Sequence, residues 1–261
     1  MDGQERLSRR IRSQSVEAVV LRRTDWGEAD RLLVLYTRQQ GKRRAIAKGV
    51  RKMRSRKAGH LEPFTHAKML LARGRDIDIV TQAEAIDLNQ ALREDILLAS
   101  CASYVVELLD RFTAEEGPNP ALFRLLLATL ERLGAGLDTG VVMRYYEMRL
   151  LDLAGYRPQL FNCTNCGNEI VAQDQYFSPG RGGVVCPNCG PSVADARPVS
   201  ETALKYLRHF QRSTFPEAAR GKPSPADSRE MEKLMGNYLT YVLERELNSP
   251  AFIRRARENS Q

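Results

Sequence analysis

A chain of 261 residues with 43% hydrophobic and 28% charged content has material for roughly two packed domains at about 150 residues each, so extended disorder is excluded. The opening MDGQERLSRRIRSQS lacks the apolar stretch of a secretory signal, and no run of about 18 apolar residues follows, so the expected location is the cytoplasm, without a membrane. The net charge of +8 lies wholly in the first third: residues 1–85 hold 20 basic and 10 acidic side chains, residues 86–261 hold 20 and 22.

From Val16 to Glu84 the pattern is that of short strands: VEAVVLR, RLLVLYT, KRRAIAK, FTHAKMLLA and DIDIVTQ, each closed by Gly, Asp or a polar turn. Five strands in about 70 residues, with the longest insertion after the third, suit a Greek-key barrel of the OB type; an SH3-like barrel is the alternative. Trp26 falls in the predicted loop between the first two strands, where it is either a base-stacking platform or a cap on the barrel's open end. Asp76 and Asp78 alternate on the fifth strand beside Arg73 and Arg75, the pattern of an ion-paired surface.

The stretch KRRAIAKGVRKMRSRK, Lys42 to Lys57, contains nine cations and no acid. Strand three contributes Lys42, Arg43, Arg44 and Lys48, and the following loop adds Arg51, Lys52, Arg54, Arg56 and Lys57. Such a cluster repels itself, and its natural complement is a phosphate polyanion that sheds condensed counterions on binding; a solvated loop is the plainer reading. Contacts of this kind read backbone, not sequence.

After Asp87 the period becomes helical. Leu92, Ile96, Ala99, Ser103, Val106 and Leu109 share one predicted face; Asn119 and Pro120 open a leucine-rich helix ending at Gly134; a third helix runs from about Gly140 to Gly155. Ser200 caps a fourth, with Val199 and Leu204 as a hydrophobic staple, and a last helix spans about Ser228 to Leu247. Arg124 and Arg132 flank Leu127 and Leu130, a pattern that would suit an acidic tail. Residues 1–13, 216–227 and the tail after Pro250 are expected to be least ordered.

Cys163 and Cys166 stand 19 residues before Cys186 and Cys189, the C-x2-C…C-x2-C spacing of a zinc ribbon. Two intervening residues let a tight turn aim both sulfurs at one ion, and Gly167 and Gly190 are expected to supply the backbone freedom of those turns. Four thiolates fill a tetrahedral shell and leave no place for an activated water, so the expected ion is structural Zn2+. QYFSPGRGGVVC is expected to form a hairpin between the pairs. Cys101 lies among apolar helix neighbours and reads as an inert thiol. No nucleotide-binding, metalloprotease or serine-hydrolase signature occurs, and the three histidines are scattered.

The segment AVVLRRTDWGEADRLLVLYTRQQGKRRAIAKGVRKMRSRKAGHLEPFTHAKMLLARGRDIDIVTQAE resembles the amino-terminal domain of the RecO family, and the cysteine module and YVLERELNSPAFI extend the likeness over nearly the whole chain. GEADRLL, KRRAIAKG with its basic continuation and RGRDIDIVTQAE are its most specific pieces. The resemblance implies an α+β fold: an OB-fold DNA-binding domain at 1–85, a helical domain at 86–160 and 199–250, a zinc-binding insertion at 161–198 and a tail at 251–261. It implies a non-enzymatic recombination mediator that binds single- and double-stranded DNA, anneals strands and, with RecR, loads RecA onto gaps coated by single-stranded-DNA-binding protein. Some relatives lack the cysteines, which points to a stabilising metal. Two other readings stay open from the residues alone: a zinc-ribbon RNA-binding or transcription-associated module, and a metal-dependent nuclease.

Overall fold

The computed structural model describes residues 13–74, 77–115, 117–244, 247 and 249–258. Residues 1–12 and the Arg75–Asp76 pair, and with them the alternation of Asp76 with Asp78, lie outside the described residues. By internal packing the chain divides into two units, residues 1–95 with 113–130 and residues 96–112 with 131–261. Segment 113–130, helical by its period, therefore packs with the strands.

In the first unit, β1 (Ser13–Trp26), β2 (Asp30–Thr37), β3 (Gly41–Ala47), β4 (His66–Ala72) and β5 (Asp78–Asp87) close in the order β1-β2-β3-β5-β4, with β4 returning to β1. The β3–β5 pairing is parallel and the others antiparallel, which is the OB arrangement and disposes of the SH3-like alternative. Side chains alternate across each strand, so Val16, Ala18, Val20, Leu33, Leu35, Ala45, Ala47, Ala67, Met69, Leu71 and Val80 fill the interior. The four alanines make room in a narrow barrel for Met69 and the leucines. β4 begins two residues later than its apolar run because Phe64 takes φ 70°, a left-handed turn in which its N–H donates to the Val20 carbonyl. Outside the barrel, Phe123 of α3 (Pro120–Gly134) stacks on Tyr36 and meets His66 edge-on.

A short helix α1 (Ala91–Glu94) is separated from α2 (Ile96–Phe112) by Asp95, whose extended ψ of 125° breaks the helical count. The face predicted from Leu92 therefore holds only in part: Leu92, Val106 and Leu109 are buried, but Ile96 is 65% exposed and Ala99 and Ser103 are half-buried, while Ser100, Cys101, Tyr104, Val105 and Leu108 are buried beside them. The caps follow the sequence. Asn119 accepts from the N–H groups of Ala121 and Leu122, Asp138 opens α4 (Thr139–Leu153), and Ser200 accepts from Ala203 at the start of α5 (Glu201–Arg212). Inside the second unit, Arg144 of α4 donates to Glu147 at 2.5 Å and Tyr104 donates to the same carboxylate oxygen at 2.6 Å, all three buried.

Two stretches expected to be poorly ordered are helical. Thr214 and Glu217 form a capping box on α6 (Phe215–Ala218), and Ser224 and Asp227 form another that starts α7 (Pro225–Leu243) three residues before Ser228. The tail forms α8 (Ser249–Glu258), which buries Ile253 and Ala256 and packs on α2, where the Ser249 N–H and hydroxyl both donate to Glu107. A helix as short as SPAFIRRARE is marginal on its own, so tertiary packing decides it. Among the described residues no helix is long and apolar enough to cross a membrane.

Candidate nucleic-acid interface and metal centre

The basic stretch leaves β3 and runs to a 3-10 turn at Ala58–Leu61. Val50 and Leu61, 1% and 0% exposed, both belong to the barrel core and act as plugs at either end of the loop. Between them, residues 51–54 and 56 are exposed. Turn hydrogen bonds from Lys52 N–H to Gly49 O and from Ser55 N–H to Lys52 O hold it in shape.

The nine cations divide by what they touch. Lys42 donates to the Thr113 carbonyl, Arg43 grips buried Asp78 through Nε and Nη2 at 3.1 and 2.9 Å, and Arg44 meets Glu115 at 2.5 Å. Lys57 donates to the Val80 carbonyl at 2.9 Å, and burial, opposed by the nearby Asp30 charge, lowers its pKa. Arg51 reaches the Gly27 carbonyl and Asp25. The side chains of Lys48, Lys52, Arg54 and Arg56 are exposed and have no hydrogen bond or ion pair among the described residues. The continuous stripe drawn from sequence thus becomes a core of four open cations, with Arg51 and the exposed side of Arg44 at its border. On β3, Arg43 points the same way as Ala45 and Ala47, toward the barrel, which is why it finds Asp78 instead of solvent.

Trp26 is not in a loop. It ends β1 opposite Asp30, and only Gly27, Glu28 and Ala29 make the turn, with Gly27 at φ 56°. The indole is 53% exposed, so it does not cap the barrel. Its hairpin is fastened to the basic loop: Arg51 N–H donates to Ala29 O at 2.9 Å, and Gly49 N–H to the Asp30 carboxylate at 2.7 Å. Arg31 binds Asp25 and Glu62, and Glu62 also binds Arg23. Asp25, Asp30, Arg31 and Glu62 position this edge, and sequence reasoning missed them because their partners lie 6 to 39 residues away.

In the second unit, β6 (Gln175–Ser178) and β7 (Gly183–Val185) form the expected hairpin, and β8 (Arg197–Val199), unforeseen, adds to the other edge of β6. The sulfurs of Cys163, Cys166, Cys186 and Cys189 lie within 4.8 Å of one another, a group that could hold one metal ion. In each knuckle a chain N–H closes back on the first cysteine, Gly167 on the Cys163 carbonyl and Gly190 on the Cys186 carbonyl. Gly167 has φ 79°, as its turn requires; Gly190 does not adopt a positive φ. Gly190 is needed for a different reason, since a Cβ there would stand 2.3 Å from the Tyr176 ring. Burial pushes the Cys163 thiol up, but the N–H groups of Cys166, Cys186 and Asn165 outweigh it and bring its pKa down to about 6, so this sulfur is the readiest to ionise. The arginine-edged groove on α3 does not form: Leu130 is 1% exposed and Arg132 lies over the Phe215 ring at 3.9 Å.

An OB barrel bearing an open cationic loop, together with a helical unit that carries a four-cysteine cluster, defines the class: a two-unit OB-fold protein. Residues 12–89 match the family model "Recombination protein O N terminal" and residues 93–251 match "Recombination protein O C terminal". The chain is 42% identical over 244 residues to a DNA repair protein RecO from Roseiflexus sp. (strain RS-1), covering 94% of this chain and 86% of that one. It is 39% identical to a DNA repair protein RecO from Dehalococcoides mccartyi (strain ATCC BAA-2266 / KCTC 15142 / 195), over 88% of this chain and 90% of the relative. A Bacillus pumilus (strain SAFR-032) protein of the same name is 32% identical over 85% and 86%. The chain belongs to the RecO family of DNA repair proteins.

Proposed function

We propose that this chain is a non-enzymatic recombination mediator that binds single- and double-stranded DNA through Lys48, Lys52, Arg54 and Arg56, with Arg51, Arg44 and Trp26 at the border of the same edge. The observation that carries this reading is the set of four exposed cations without side-chain partners among the described residues, Lys52, Arg54 and Arg56 on a turn-locked loop between two core plugs and Lys48 just before the first plug. Lys42, Arg43 and Lys57 support the edge from within. Phosphate oxygens neutralise these charges without reading bases, so binding is tolerant of sequence. Two strands held on one cationic surface repel each other less while their base edges stay free to pair, which is annealing without fuel. In this reading RecR, RecA and single-stranded-DNA-binding protein are the partners, as the family likeness implies. The ion is structural Zn2+: a tetrahedron with Zn–S of about 2.3 Å has sulfur–sulfur edges of about 3.8 Å, and Cys166 and Cys186 stand 3.8 Å apart.

The test is a salt titration of binding and annealing. Four phosphate contacts give about a 10²-fold loss of duplex affinity between roughly 50 and 200 mM salt. A flat response, or annealing retained after all four cations are reversed in charge, refutes the assignment.

A further inference from the structure

Met53 stands in the middle of the basic loop between Lys52 and Arg54, and its relative exposure of 105% means that its side chain touches nothing. A lone apolar side chain on an ordinary surface needs no explanation. Here the placement is built. The turn bonds of Lys52 and Ser55 hold the segment on either side of Met53, so the thioether is carried at the crest of the loop and not folded under it. Lys52 and Arg54, its exposed neighbours, have no side-chain partners among the described residues, and their Cα atoms are at most about 7 Å apart across two peptide units. The hairpin carrying the half-exposed Trp26 is bonded to the same loop through Arg51.

We infer that Met53 is a base-contacting wedge: its fully exposed thioether lies on the face of an unpaired nucleobase while Lys52 and Arg54 hold the phosphates on either side. This rests on the reading that the loop meets nucleic acid, and it adds a preference that charge cannot supply. Phosphate attraction alone favours the more densely charged duplex, whereas a flexible, polarisable sulfur gains contact only with a ring that is unstacked. The ligand class is therefore a strand with accessible base faces, such as a gap or an opened end.

Trp26 is the only tryptophan in the chain, so its emission reports binding at this edge directly. Full-length protein and Met53→Ala are titrated with oligothymidylate, with an abasic strand of equal length and with a duplex. The expected result is a loss of about threefold to tenfold for Met53→Ala on oligothymidylate, no change on the abasic strand or the duplex, and an unchanged salt slope, because no charge is removed. Met53→Phe should restore or tighten oligothymidylate binding. An equal loss on all three ligands, or no loss on any, overturns the wedge. A joint Lys52→Gln and Arg54→Gln variant separates the two ideas: if it weakens all three ligands while Met53→Ala changes none, the phosphate reading stands and the wedge falls. Wild-type protein that binds none of the three refutes both.

Discussion

The cysteine module and the basic loop are the two densest sequence patterns in the chain, and they behave in opposite ways on folding. Four cysteines separated by up to 26 positions converge until their sulfurs lie within 4.8 Å. Nine cations within 16 consecutive positions disperse, and only Lys48, Lys52, Arg54 and Arg56 keep open side chains. The difference is physical. A metal-ligand spacing works only if all its members meet, whereas neighbouring cations repel and each is drawn to the nearest carboxylate or carbonyl that the fold presents.

The largest effect should come from breaking the convergent pattern. Cys163→Ser should abolish stoichiometric zinc binding, whose free energy in small structural sites is about 10 kcal/mol or more; metal analysis of the purified variant checks it. If the two patterns are energetically separate, the same variant keeps its affinity for DNA.

Next is the cation of the dispersed set whose partner is buried. Arg43→Met leaves Asp78, 6% exposed, without its partner, and should cost about 3 kcal/mol in urea unfolding. Neutralising Lys48, Lys52, Arg54 and Arg56 together should instead leave stability intact and lower DNA affinity about 10²-fold at physiological salt. A charge-neutral Arg43 variant that loses as much binding as this quadruple variant would erase the division between supporting and open cations.

The helical unit offers a charge that folding holds at unusual cost. Burial outweighs the opposing Arg144 charge and Tyr104 hydroxyl and raises the Glu147 carboxyl from its ordinary 4.5 to about 7. The folded chain thus favours the protonated form. Its stabilisation is complete below the ordinary carboxylate range and is lost as pH rises through about 7. Unfolding free energy should fall by about 2 kcal/mol between roughly pH 5 and pH 7 from this group, and Glu147→Gln should flatten that slope in pH-dependent denaturation. The smallest effect is at the border of the cationic edge: Trp26→Ala should weaken single-strand binding by about 1 kcal/mol, measured by anisotropy of a labelled strand.

Much of the chain was readable before folding because it rests on short-range rules. Strand alternation is consistent with Leu33 and Leu35, Ala45 and Ala47, and Met69 and Leu71 inside the barrel, and Asn119 and Ser200 mark helix starts by bonds to N–H groups two or three residues on. Errors gathered where a local rule was interrupted or outvoted. One extended residue, Asp95, interrupts the helix and leaves Ile96 exposed, and α8 is held by packing on α2 and by Glu107, far away in the sequence, which receives Ser249.

By itself the amino-acid order determined the barrel, the principal helices, the four candidate ligands and the family, since periodicity, capping and C-x2-C spacing act over a few residues and survive in any context. Only the tertiary structure decided which cations are open, that Trp26 ends a strand, that Gly190 yields space to Tyr176, and that Met53 stands clear of the protein. Those outcomes depend on which carboxylate, ring or carbonyl arrives from elsewhere in the chain, and no short-range rule carries that information.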